Sequence, residues 1–170
     1  MQPGEIFNIS QENFVKGEMI GSYKEEHLKN GVRTEEQFKE EFFKYLSSLL
    51  TDNESLEDHS ASFDKYDFVL HHEDGSKSYF DVKSKAESST TFTVPIGEYI
   101  FWFDVIKNNG DKVYVVCCEN IKDKNQFRLL GIWDVNDLYL RKTWNWDDLP
   151  DSKKTYYFGY LNKEKNLLND

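Results

Sequence analysis

The sequence holds few of the features that mark several common functional classes. It has two cysteines in 170 residues, and they are neighbours, Cys117 and Cys118. Adjacent residues in a strand point to opposite faces, so the pair is poorly placed to chelate one metal or to form a disulfide. A disulfide framework is therefore excluded, and the expected compartment is a reducing, cytoplasmic one. No apolar run approaches the roughly 20 residues needed to cross a membrane. The opening Met1-Gln2-Pro3-Gly4-Glu5 lacks the basic stretch and apolar run of a secretory signal. A soluble protein with no membrane partner is expected. Basic residues are also in deficit, with 21 Lys and Arg against 31 Asp and Glu, for a net charge of -10. That balance argues against a passive nucleic-acid coat, because phosphate binding normally rests on Lys and Arg. No glycine-rich phosphate loop, zinc-ligand spacing or Ser/His/Asp arrangement is present, and neither is a repeat or low-complexity tract.

Aromatic residues, by contrast, are plentiful at 16% of the chain. With 170 residues they supply one packed core without disulfides or structural metals, so a single domain is expected over 1–170. Its expected parts are an N-terminal helical extension (1–32), a core (33–120) and a C-terminal extension (121–170). The acidity is uneven. Residues 1–62 carry a net -7, residues 63–130 a net -2 and residues 131–170 a net -1.

Short helices are expected from Ser10 and Ser22. A stronger helix begins at Thr34, where Thr34-Glu35-Glu36-Gln37 reads as a capping box. Phe38, Phe42, Tyr45, Leu46 and Leu49 then recur at helical spacing and turn one stripe toward a core. The polar stretch from Thr51 to Ser62 reads as a loop. Thr90 to Val94 reads as a strand, and Pro95 suits the first turn of a helix whose apolar face is Ile96, Tyr99, Ile100, Phe103 and Ile106. Asn109-Gly110 ends that helix. Lys112 to Cys118 is rich in β-branched residues and reads as a strand buried on both sides. Phe127 to Trp133, a short helix near Val135 to Leu140, and Tyr156 to Tyr160 follow. The fold class is α/β (α+β), with a mixed central β-sheet flanked by helices and a strand-rich C-terminal extension.

The most informative segment is Tyr66-Asp67-Phe68-Val69-Leu70, then Glu73-Asp74-Gly75, then Tyr79-Phe80-Asp81-Val82-Lys83. Gly75 suits the left-handed third position of a three-residue hairpin loop. That loop pairs His72 with Ser76, and counting back five residues on each strand sets Asp67 opposite Asp81. Alternation gives Asp81 and Lys83 one face, with Asp67 and Val69 beside them, while Tyr66, Phe68 and Leu70 join Phe80 and Val82 on the other. Like charges set opposite each other destabilise a sheet by up to about 1 kcal/mol. A divalent metal is the obvious compensating cation.

A carboxylate at the start of one strand followed by Asp-x-Lys on the next resembles the PD-(D/E)xK nuclease superfamily. The αβββαβ order of residues 34–118 also resembles its restriction-endonuclease-like core. Tyr66 stands where the motif's proline is expected. The resemblance implies Asp67 as the first acid, Asp81 as the second and Lys83 as the lysine. Many members add a glutamate on the first helix; Glu35, three residues before Phe38, is the candidate, with Glu41 second and Glu36 turned away. A magnesium cofactor, with manganese as substitute, is then implied on Asp67, Asp81, Glu35 and the Val82 carbonyl. The implied activity is phosphodiester hydrolysis, in DNA, in restriction, defence or mobile-element biology. The short chain further implies a homodimer or a recognition partner.

Plainer readings stand beside these. Alternating charges on an exposed strand give Asp-x-Lys without catalysis. An acid such as Glu35 or Glu98 in a first helical turn is favoured by the helix dipole alone. Asp64 reads as a strand-entry residue, Lys85 as a phosphate contact or a solvated strand end, and His71 and His72 as cross-strand packing. Trp133, Trp144 and Trp146 read as core or tail packing rather than base-stacking platforms. Two rivals to a nuclease remain: a non-catalytic nuclease-like module with an acidic interaction surface, and a metal-dependent hydrolase of another phosphate substrate.

Overall fold

The computed structural model of the protein describes residues 34–60, 65–86, 89, 91–121, 126–144 and 155–168. The expected helices from Ser10 and Ser22, Asp64 and Trp146 lie outside these residues, as do the side chains of Glu35 and Trp144. The first described element is helix α1 (Thr34–Ser48), which starts at the expected residue. Strands β1 (Ser55–Asp58), β2 (Phe68–His71), β3 (Lys77–Ala86) and β4 (Thr91–Pro95) follow. Helix α2 (Ile96–Asn109) leads to β5 (Lys112–Ile121) and β6 (Gln126–Asp134), a 3-10 turn at Val135–Asp137, β7 (Tyr139–Trp144), β8 (Thr155–Tyr160) and a 3-10 turn at Lys163–Lys165.

The hairpin has the expected register. Phe68 pairs with Phe80 and His71 with Lys77. The His72 N–H donates to the Ser76 carbonyl at 2.9 Å, and Gly75 takes a φ of 88° that a side chain would strain. Asp74 closes the turn by accepting from the Ser76 N–H at 2.9 Å. β3 then pairs in parallel with β5 across α2, a crossover that requires a buried strand between helices. β5 meets that requirement: Val113, Val115, Val116, Cys117 and Cys118 are all fully buried.

The five-stranded sheet has the order β1-β2-β3-β5-β6 and is mixed, with a helix on each face. On one face α1 lays Phe38, Phe42 and Leu46 on Phe68, Leu70, Phe80, Val82 and Val116. On the other, Trp102 and Val105 of α2 cover Val69, Tyr79, Val113 and Val115. Each fully buried aromatic or aliphatic side chain of this kind contributes roughly 1.5–3 kcal/mol. A second, three-stranded sheet, β4-β8-β7, closes over the α2 side.

Three expectations are corrected. The stretch Thr51 to Ser62 is not all loop, since β1 pairs antiparallel with β2 along its edge. It has no apolar alternation because only Leu56 turns inward; Glu57 instead binds His71 at 2.8 Å and His59 at 2.9 Å. Thr91–Pro95 does not continue the hairpin sheet but pairs with β8. The αβββαβ order of the main sheet therefore holds with β1, not β4, as one of its three strands. Tyr66 lies on the α2 side, 4.8 Å from the Tyr79 ring and 5.3 Å from Phe101, because β2 begins only at Phe68 and alternation does not reach back to it.

Trp133 is a core residue, its indole N–H donating to the Asn162 carbonyl at 2.8 Å. Past that point Asn166 clasps β6: its amide accepts from the Ile132 N–H and donates to the Leu130 carbonyl, both at 3.2 Å. The Leu167 N–H donates to the Ile132 carbonyl at 2.8 Å. A Cβ on Gly131 would overlap the Asn166 amide, so a side chain there would displace the clasp. Among the described residues no helix is long and apolar enough to cross a membrane.

Burial pushes the Cys117 thiol up to about 12, and nearby Glu119 adds to the effect while Lys85 opposes it. With both thiols buried, iodoacetamide at pH 8 leaves Cys117 and Cys118 unmodified in the native protein and labels both after denaturation. Mass spectrometry checks this, and native labelling at Cys117 would contradict the buried environment.

Candidate active site

The strand order brings the hairpin's charged residues beneath the first turn of α2. Asp67 stands one residue before β2, its N–H still bonded to the Phe80 carbonyl at 2.9 Å. Its carboxylate is held from two directions. Oδ2 accepts from the Val82 N–H at 2.7 Å, and Oδ1 meets Lys39 Nζ, from α1, at 3.0 Å. Asp81 and Lys83 share the β3 face that looks toward α2. Asp81 is almost fully buried and lies within hydrogen-bonding reach of the Asp67 carboxyl. Its Oδ2 faces Lys83 Nζ at 3.2 Å but out of hydrogen-bond alignment, which leaves a buried oxygen with no donor. The Lys83 ammonium donates instead to Glu98 Oε2 at 2.6 Å and lies 6.0 Å from the Trp102 ring centroid.

The row therefore reads Lys39, Asp67, Asp81, Lys83, Glu98, with two like charges adjacent at its centre. Burial drives the Asp81 carboxyl well above the usual carboxylate range; Lys83 opposes this, and Glu98 and Asp67 reinforce it. Two carboxyl groups so close disfavour ionisation of the buried one. Burial alone would depress Lys83, yet the flanking Asp81 and Glu98 hold it above the ordinary lysine range. At neutral pH it is a fixed cation and no general base.

By donor type the pair suits magnesium. Magnesium takes hard oxygen ligands, uses one or two carboxylates and keeps several waters rather than filling an all-protein cage. Among the described residues no set of three or more His, Cys, Asp or Glu side chains is arranged for a metal. The donorless Asp81 Oδ2 beside Asp67 is the atom such an ion would satisfy.

Other candidates sit elsewhere. Glu41 pairs with Lys44 at 3.5 Å, and Glu36 is exposed. Lys85 is neither a solvated strand end nor a surface cation; it is buried against Glu119 at 2.5 Å, and Glu119 also pairs with Arg128. His71 and His72 diverge, the first to Glu57 and the second to Ser78 Oγ at 2.7 Å. Two members of the row escaped the sequence reading. Glu98 carried a signal only as a first-turn acid. Lys39 sits next to the Phe38–Phe42 stripe and looks like an ordinary flank.

Residues 32–130 match the family described as Protein NO VEIN, C-terminal. The chain belongs to that family. The NO VEIN C-terminal segment runs from the start of α1 into β6 and contains every member of the charged row; β7 and β8 fall outside it. None of the curated proteins matches the chain. Among solved structures the chain is similar to Hjc, a Holliday junction resolvase from the archaeal hyperthermophile Archaeoglobus fulgidus. Identity is 14% over 74% of this chain and 90% of that one, with a TM-score of 0.39. A score so low transfers no residue roles to the NO VEIN segment.

Proposed function

We propose that the protein is a magnesium-dependent nuclease that hydrolyses phosphodiester bonds in DNA. The observation that carries this reading is the meeting of two carboxylates, one with a donorless buried oxygen, beside a lysine fixed as a cation. Asp67 and Asp81 would hold the ion, with the Val82 carbonyl on the same side as the N–H that Asp67 already accepts. The bound ion supplies an acidified water and a polarised phosphate. Asp81 would serve as a ligand in its carboxylate form, and Lys83 would stabilise the negative charge that develops on the phosphate. Glu35 as a further ligand, a homodimer or recognition partner, and a cytoplasmic location belong to the same proposal.

The test uses the full chain with plasmid, single-stranded DNA and RNA. DNA is cut in Mg²⁺ or Mn²⁺, EDTA stops the cutting, and Asp67→Ala lowers the rate by about 10²–10³-fold. Wild-type protein that cuts none of the three substrates in either metal would sink the proposal.

A second reading is supported by Lys39 and Lys83, which already offset much of the row's negative charge without an ion. On that reading the protein is a non-catalytic, acidic interaction module. Calorimetric titration with Mn²⁺ separates the two, since a module gives no heat that depends on Asp67 and Asp81.

A further inference from the structure

We infer that Glu98 is the positioning residue for Lys83, holding its ammonium between the two acids so that it does not close in full hydrogen-bond alignment on Asp81 Oδ2. The inference rests on the nuclease reading above and deepens it. Lys83 has two acids within reach. Asp81 is on its own strand, two residues back, and offers a contact of 3.2 Å with poor alignment. Glu98 comes from another element, at 2.6 Å and in hydrogen-bond geometry. A lysine arm has four rotatable bonds and will follow whichever acid holds it best.

The surroundings favour this role over a helix-dipole one. A dipole-stabilised acid needs only an exposed place in the first turn. Glu98 instead has a side chain only 20% exposed, with Oε2 committed to Lys83. Trp102, one turn further along α2, is fully buried and stands 6.0 Å from the ammonium, so Glu98 and Trp102 bracket the lysine from the same helix face. With Glu98 truncated, the nearest remaining acid is Asp81. The ammonium, already 3.2 Å from Oδ2, would align on it alone and compete with any ion for it.

Two readouts test this on the full chain with Glu98→Ala and the near-isosteric Glu98→Gln. Amine-reactive labelling of the metal-free protein, read at Lys83 by mass spectrometry, requires no nuclease activity. Lys83 is expected to be protected in the wild type, labelled several-fold faster in Glu98→Ala because the side chain that covers it from the solvent side is gone, and intermediate in Glu98→Gln, which keeps an acceptor. Unchanged labelling at Lys83 in both variants would overturn the inference. On the substrate that the wild type cuts, Glu98→Ala should lower kcat by about 10²-fold with KM little changed. The same substitution in a Lys83→Met background should add nothing, because the two residues act as one unit. A full additive loss in that background would overturn it as well. Faster labelling in Glu98→Ala together with a wild type that cuts nothing sinks the nuclease reading and leaves the Glu98–Lys83 contact standing.

Discussion

Replacing Asp81 with asparagine should make the metal-free protein more heat-stable and, on the proposed nuclease reading, abolish cleavage of DNA. The carboxyl is buried, next to Asp67 and near Glu98, and burial holds it well above its unfolded value. A carboxyl raised in this way contributes its stability below the unfolded pKa and loses it as pH rises through the folded one. At neutral pH the site therefore carries a buried acid whose ionised form burial and the neighbouring acids disfavour, only partly offset by Lys83. Asparagine keeps the shape, removes the charge and can donate to Asp67. The melting temperature in EDTA should rise by about 2–4 °C for each kcal/mol recovered. The gap between variant and wild type should widen as pH climbs from the acid side and close again as pH falls. On the proposed reading saturating Mg²⁺ should reverse the order, because the variant lacks one proposed ligand while a wild type that binds the ion gains about 2.7 kcal/mol at a hundredfold excess over Kd. Calorimetric melting with and without Mg²⁺ checks both halves; a lower melting temperature for Asp81→Asn in EDTA at pH 7 would refute the buried-acid account.

Lys83→Met works in the opposite direction. Lys83 is the cation that faces Asp81 and Glu98, and its side chain is only 13% exposed. Methionine fills similar space but leaves buried acid without compensation, a change that costs about 3–5 kcal/mol when one partner of a buried pair is removed. The melting temperature should drop by roughly 10 °C, given about 2–4 °C per kcal/mol at this size. Cleavage should fall by about 10²–10³-fold, the usual effect of removing one charge-stabilising group. Combining Lys83→Met with Asp81→Asn should restore part of the lost stability, since the second change removes an acid that the first exposed. A double variant no more stable than Lys83→Met alone would show that the two groups are not coupled.

What the sequence disclosed follows physical range. The hairpin register could be read because it is local: a loop with glycine at its left-handed position fixes which residues face each other. Helix α1 and the twice-buried β5 could be read from periodicity and β-branching. β1 could not, because an edge strand with one inward residue carries no alternation. The partner of β4 could not, because chain order does not say which sheet a strand joins. The same limit applied within the site. Asp67, Asp81 and Lys83 lie in one hairpin, whereas Lys39 and Glu98 reach them from α1 and α2, and only packing brings them there.

The clasp of Asn166 and Leu167 on β6 bears on how this protein could assemble. A terminal strand offers a row of vacant amides and carbonyls onto which another chain can template. Around Leu130 and Ile132 those groups are already taken by the protein's own polypeptide. Lateral accretion from that rim is thereby stoppered. A symmetric pair built by continuing the sheet through that stretch of β6 would first have to displace the clasp.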